Sequence, residues 1–392
     1  MWRRAKARRN VTARGRAATY AERMEFAASE RSTLGVEWEL CLVDPVSRAL
    51  VPAAPGIVEG AGDARVTGEF MQNTIELVTG VHRTVGEAVA ELTALRDRVL
   101  DLATDAGAEL IGAGTHPFSD WRDQVINPGE RYRHVTERSG DWGRQLAIWG
   151  VHTHVGVEHR EKVVPIMHGV LAHYPLILAL STSSPFWLGD DTTFSSHRSM
   201  VFQQLPTGGL PPELESWSDI ERVSHDYLHT GIVDVLGEIR WDVRPAVHYG
   251  TVEIRIADGA TRPDDLAAIT ALSHVIVERT SRRLDEGAEL DRLPSWFVRE
   301  NKWRASRYGL EAIVIENARG DERLVTDVLA DKLEEWAPIA RDLGCEREFA
   351  SIERLIARGS SADRQRAVAR AHGGDLTAVV DALVDELRLP AR

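Results

Sequence analysis

The stretch that most restricts the fold of this chain is residues 33–43, TLGVEWELCLV. Leu34, Val36, Trp38, Leu40 and Leu42 fall on one parity, and Gly35, Glu37, Glu39 and Cys41 on the other. Successive side chains of a strand point to opposite faces, so the segment predicts a strand with one oily and one acidic face. Residues 146–157, LAIWGVHTHVGV, alternate in the same way, with His152 and His154 opposite Trp149, Val151, Val155 and Val157. So do residues 250–259, GTVEIRIADG, where Val252, Ile254 and Ile256 alternate with Thr251, Glu253 and Arg255. Residues 70–79, FMQNTIELVT, and 238–245, EIRWDVRP, read as two further strands, the first setting Thr74 and Glu76 opposite Ile75 and Leu77.

Helical spacing of apolar residues predicts helices from Val85 to about 106, over roughly 161–182, about 213–229 and 263–286, and throughout the chain beyond about 290. AELIGAGTHP at 108–117 reads as a strand running into a loop. The strands are not evenly interleaved with helices, as a Rossmann fold or TIM barrel would require, and no GxxxxGK[ST] loop occurs. The expected class is therefore α+β, with a mostly antiparallel sheet.

Collected from these strands, the polar face offers Glu37, Glu39, Glu76, His152, His154, Arg240, Asp242, Arg244, Glu253 and Arg255, and no lysine. A merely solvated face would favour Lys, Thr and Gln. Several carboxylates with an imidazole suit a hard cation, Mg²⁺ or Mn²⁺, better than zinc. Arginines among them suit bidentate capture of carboxylate or phosphate. Carboxylates, cation and arginines in one trough are the parts needed for phosphoryl transfer from ATP.

The whole-chain balance is compatible with this. A net charge of −13 gives no support to a nucleic-acid role. Triphosphate charge would then have to be met locally, by a divalent cation and a few placed basic residues. No apolar run approaches membrane-spanning length. Cys41 and Cys345 read as free thiols in a reducing cytoplasm. Residues 1–16 carry seven Arg or Lys and no acid, so 1–28 is expected to be a basic, disordered tail. Met24 is the natural start of the folded part, and residues 29–392 are expected to form a single catalytic domain.

GVEWEL, TIELVT, GVHTHVGV and TVEIRIADG, in that order, resemble the motifs of the glutamate–cysteine ligase superfamily, and most of all its bacterial type-2 branch of carboxylate–amine ligases. SSPFW, SSHRSMVFQQLP and ENKWRASRYGLEA resemble that branch too, so the likeness spans about residues 30–380. It implies a fold similar to glutamine synthetase, in which a curved antiparallel sheet forms a funnel backed by helices, here followed by a helical C-terminal part. It also implies an ATP-dependent ligase that makes an amide bond through an acyl-phosphate, with glutamate–cysteine ligase activity as one form of it. Implied metal ligands are Glu37, Glu39, Glu76, His152 and Glu253. Arg198 and Arg255 would meet the transferred phosphate. Arg131 or Arg133, His154, Arg304 and Arg307 would contact substrate or phosphate. The implied partners are a small carboxylate and a small amine, amino acids among them, with no nucleic acid or membrane; a homodimer stays open. Two alternatives remain at this point: a metal-dependent amidohydrolase, because HxH on a strand also opens a binuclear hydrolase site, and a non-catalytic relative that binds nucleotide or amino acid.

Overall fold

The computed structural model describes residues 24–390. The basic stretch 1–23 and the tail expected there lie outside those residues. Two residues of the stretch 1–28 make tertiary contacts. Phe26 packs edge-on against Trp217 with ring centroids 5.4 Å apart. The Ala27 N–H donates to the Val247 carbonyl at 2.9 Å.

The central strand β1 (Leu34–Val43) is the alternating segment. With β2 (Val66–Gly68), β3 (Thr74–Val78), β4 (Glu109–Ile111) and β5 (Gly150–Gly156) it supplies the first five strands of the main sheet. A small hairpin, β6 (Phe186–Trp187) and β7 (Asp190–Asp191), stands apart. Strands β8 (Val243–Ala246) and β9 (Thr251–Asp258) complete a seven-stranded sheet in the order β2-β3-β1-β5-β9-β8, with β4 paired to β1. All of its strand pairs are antiparallel. The hydrogen-bonded path ends at β2 and β8, so the funnel is open rather than a closed barrel. The binuclear hydrolase alternative would need parallel βα units, which this sheet does not have.

The oily parity packs as its pattern requires. Leu34, Val36, Trp38, Leu40 and Leu42 are all buried, in one core with Ile75, Leu77, Val151, Val155, Val252 and Ile254. The helices Val85–Asp105, Val163–Ala172 and Pro263–Asp285 cover that face. Each fully buried aliphatic side chain contributes about 1.5–3 kcal/mol. Trp38 also donates its indole N–H to the Ala260 carbonyl at 3.1 Å, so its own buried donor is paired. The helix Val85–Asp105 starts where it does because Thr84 and Glu87 form a reciprocal capping box.

Four expectations are corrected. The single helix over 161–182 is two helices, Val163–Ala172 and Tyr174–Ser181, bent by 56°. Pro175 lacks an N–H and cannot continue the first. The C-terminal part is not wholly helical: β10 (Ile313–Ile315) and β11 (Glu322–Leu324) form a second hairpin. The expected strand 238–245 is ordered as strand only from Val243, so alternation does not govern Asp242. That carboxylate is buried away from the polar face, bound by Lys302 Nζ at 2.8 Å and the Tyr174 hydroxyl at 3.0 Å. Finally, the acidic face of β1 stops at Glu39; Cys41 is buried in a second core cluster with Ile111 and Trp149. Among the described residues no single helix is long and apolar enough to cross a membrane.

Candidate active site

The polar face of the sheet is the floor of a cavity of about 450 Å³. Strand register brings its groups together. Glu37 lies directly opposite His152, Glu39 opposite Glu76, and Glu253 between His154 on one neighbour and Arg244 on the other. Five strands, β1, β3, β5, β8 and β9, thus contribute to one floor.

His152 Nδ1 lies 2.7 Å from Glu37 Oε2, and His154 Nε2 lies 3.3 Å from Glu37 Oε1. The Gly150 N–H donates to Glu39 Oε2 at 2.5 Å, and Thr67 Oγ1 donates to Glu76 Oε2 at 3.1 Å. Arg244 Nε donates to Glu253 Oε2 at 2.7 Å, and Arg255 Nη1 pairs with Glu253 Oε1. Two trios, Glu37–His152–Glu253 and Glu39–Glu76–His152, each place their ligand atoms within 4.8 Å of one another, and His152 belongs to both.

The electrostatics divide the floor. Burial raises the Glu37 and Glu253 carboxyls. Hydrogen bonds from His152 and His154 to the one, and Arg255 and Arg244 beside the other, outweigh this and hold both below the usual carboxylate range. Glu39 and Glu76 go the other way. Burial, with Glu69 nearby, pushes Glu39 up to about 7 although Arg198 opposes it. Burial and the neighbours Glu37, Glu69 and Glu39 raise Glu76 strongly. Three carboxylates at that corner lack sufficient positive charge.

The imidazole adds a neutral donor atom to this corner. Burial and Arg255 lower the His152 pKa to about 4, so the ring is neutral near pH 7. Its Nδ1 faces the Glu37 carboxylate and so carries the proton. Nε2 is then an acceptor, buried without a hydrogen-bond partner, 4.0 Å from Glu39 Oε1. A carboxylate fixing the tautomer of an imidazole whose other nitrogen is bare is the usual arrangement behind a metal ligand. The donor set of Glu37, Glu39, Glu76, His152 and Glu253 therefore fits a divalent cation.

A pH dependence follows. A carboxyl whose folded pKa lies above its unfolded value binds extra protons in the native state. Stability then falls as pH rises from the unfolded value through the folded one. For Glu39 that window runs from about 4.5 to about 7. Chelated protein should therefore melt lower at pH 8 than at pH 5.5, and millimolar Mg²⁺ should remove most of the difference in a thermal scan. An equal loss with and without Mg²⁺ would separate these carboxylates from cation binding.

Arg198 and Arg255 both line the cavity, as do His154, Arg240 and Arg244. Other expected contacts do not. On the helix Glu130–Ser139, Arg133 is exposed and does not line the cavity; its neighbour Tyr132 does. The side chain of Arg131 lies outside the described structure. Arg304 and Arg307 lie on the helix Ser295–Tyr308, away from the cavity. Arg304 pairs with Glu300 at 2.8 Å and Glu322 at 2.5 Å, and Arg307 donates to the Thr193 carbonyl. Partly exposed ion pairs of this kind are worth ~1 kcal/mol or less. Arg304→Ala and Arg307→Ala should each leave turnover within about twofold of wild type. A larger loss in a steady-state assay would return them to the site. Glu69 was not anticipated, yet it lines the cavity beside Glu39 and Glu76. It precedes β3 in irregular chain, where no alternation marks which way a side chain points.

Residues 33–382 match the model of glutamate-cysteine ligase family 2. The chain belongs to that family. A Nocardia farcinica relative, provisionally named glutamate–cysteine ligase 2-2, is 48% identical over 373 residues, covering 93% of this chain and 98% of the relative. Among solved structures, the glutamate–cysteine ligase of Francisella tularensis in complex with AMP superposes with a TM-score of 0.66 at 14% identity, covering 93% of this chain and 90% of that one. A bifunctional glutathione synthetase from Pasteurella multocida gives 0.63 at 13% identity, over 91% of this chain and 52% of that one. At such identities the superpositions establish a shared fold. Within glutamate–cysteine ligase family 2, then, the acidic floor described above belongs to a ligase scaffold.

Proposed function

We propose that this member of glutamate–cysteine ligase family 2 is an ATP-dependent, Mg²⁺-requiring carboxylate–amine ligase, with glutamate and cysteine the first pair to test. The observation that carries this is the pair of ligand trios sharing His152 in a cavity that Arg198 and Arg255 also line. Glu37, Glu39, Glu76, His152 and Glu253 would hold a divalent cation, which would supply positive charge to offset that of the triphosphate.

The reaction has two stages. A substrate carboxylate oxygen attacks the γ-phosphorus of ATP, the bond to ADP breaks, and an acyl-phosphate forms. An amine then attacks the acyl carbon, and phosphate leaves with the oxygen that the carboxylate supplied. Phosphorylation is required because a carboxylate oxygen is too poor a leaving group for attack by an amine at neutral pH. Arg198 and Arg255 stabilise the charge on the transferring group, and they are fixed in place before it develops. Apolar walls that include Phe70, Tyr132, Phe202 and Trp241 keep water from the acyl-phosphate. Buried free thiols at Cys41 and Cys345 suit a reducing cytoplasm, where ATP is available.

ADP release should require Mg²⁺ and an amino acid together, measured over a panel of carboxylates and amines. ATP turnover indifferent to every amino acid offered would remove the ligase reading.

A further inference from the structure

The ligase reading asks Arg198 to meet the transferred phosphate, yet Arg198 does not stand on a sheet strand. It opens the short helix His197–Phe202 after residues 182–196, a connection whose regular structure is the small β6–β7 hairpin. A connection made largely of turns is less rigid than a strand inside a sheet, whereas catalytic groups must be held closely in place. Something must therefore lock this segment to the floor.

The lock is visible at the end of β9. Asp258, its last residue, is fully buried. Its Oδ2 accepts from the Ser183 N–H at 3.0 Å and the Ser184 hydroxyl at 2.7 Å, while Oδ1 accepts from the Ser196 hydroxyl at 2.7 Å. Those serines sit at both ends of the connection. The Ser184 hydroxyl in turn accepts from the Arg198 N–H at 3.0 Å. Ser196 caps the helix by accepting from the Ser199 N–H at 3.3 Å. The guanidinium itself lies 4.0 Å from Asp258 Oδ1. Two glycines leave room for the arrangement. A Cβ at Gly114 would come within 2.8 Å of Asp258 Cγ, and one at Gly150 would collide with Arg198 Nη2. A buried carboxylate is costly unless its lone pairs are met, and here the groups that meet them are the ones that set the backbone of Arg198.

We propose that Asp258 is a positioning residue for phosphoryl transfer: through Ser184 and Ser196 it fixes the segment that delivers Arg198 to the cavity. Asp258 touches no substrate and supplies no proton. Its effect passes through Arg198, and that makes it separable from simple support of the fold.

The test is a double-mutant cycle on the full chain with Asp258→Asn and Arg198→Ala, reading kcat, KM for ATP and thermal midpoint. Asp258→Asn should lower kcat by about a hundredfold, the scale of a misplaced catalytic group, and shift KM for ATP far less. In the Arg198→Ala background the same change should cost less than about threefold, because the group it positions is gone. Ser184→Ala and Ser196→Ala keep the carboxylate and should each lower kcat partially with a melting point near wild type, so the proposal stays testable if Asp258→Asn folds poorly. Losses that multiply in the double mutant, or serine variants at full rate, would overturn it. Should wild type release no ADP at all, the ligase reading fails by itself. The positioning role is then read on crystal structures of wild type and Asp258→Asn: a displaced Arg198 in the variant is expected, and an Arg198 that keeps its place would overturn it.

Discussion

Glu37→Gln is expected to lower kcat by about a hundred- to a thousandfold, the range seen when one preorganised electrostatic group is removed from a catalytic site. The reason lies in how the carboxylate is shared. One oxygen takes His152 and the other faces His154. An amide has only one acceptor oxygen, so one imidazole must meet an N–H instead. If that is His152, its proton moves to Nε2 and blocks the nitrogen left bare toward Glu39. The trio Glu37–His152–Glu253 also loses a charge. The fold should survive, since the floor carries an excess of carboxylates and the change relieves some of their repulsion. Steady-state ADP release beside a melting curve checks both halves. Wild-type turnover in Glu37→Gln would remove Glu37 from the site.

Arg255→Ala should have the larger effect, about a thousandfold or more in kcat, as expected for an arginine that meets a transferring phosphoryl group. KM for ATP should change less, because the charge Arg255 opposes is greatest during transfer. Arg255 pairs with Glu253 and lies with Nη1 3.4 Å from His152 Nδ1, so it touches two members of the first trio. Burial lowers its pKa, but Glu253, Glu37 and Glu39 raise it more, and it stays charged. Without it Glu253 keeps only Arg244, and a melting point a few degrees lower should accompany the loss. Arg255→Lys keeps the charge without the planar fork and should recover part of the rate. Equal falls in kcat for Arg255→Lys and Arg255→Ala would argue for geometry alone. Unchanged kcat in both would contradict the role.

The sequence was most legible where one face of a strand is buried. The period-two pattern of β1, β5 and β9 gave the parity of Glu37, Glu39, His152, His154, Glu253 and Arg255, because slipping by one residue would expose Trp38 or Val252. Legibility ended where regular structure ends. Glu69 sits in an irregular approach to β3, and Asp242 lies one residue before β8 begins, so neither had a parity to read. Helical spacing put Arg304 and Arg307 on a common face without saying which neighbour that face meets. The bonds of Ser183 and Ser184 to Asp258 span more than seventy positions, and local pattern carries no trace of such pairings.

The most direct test of the central claim follows one oxygen atom. An amino acid that drives ADP release is supplied with ¹⁸O in its carboxylate, together with its amine partner, Mg²⁺ and ATP. If that carboxylate attacks phosphorus and is later displaced by the amine, each phosphate released carries one labelled oxygen. Phosphate that instead takes its new oxygen from water would mean simple ATP hydrolysis, and would contradict the account.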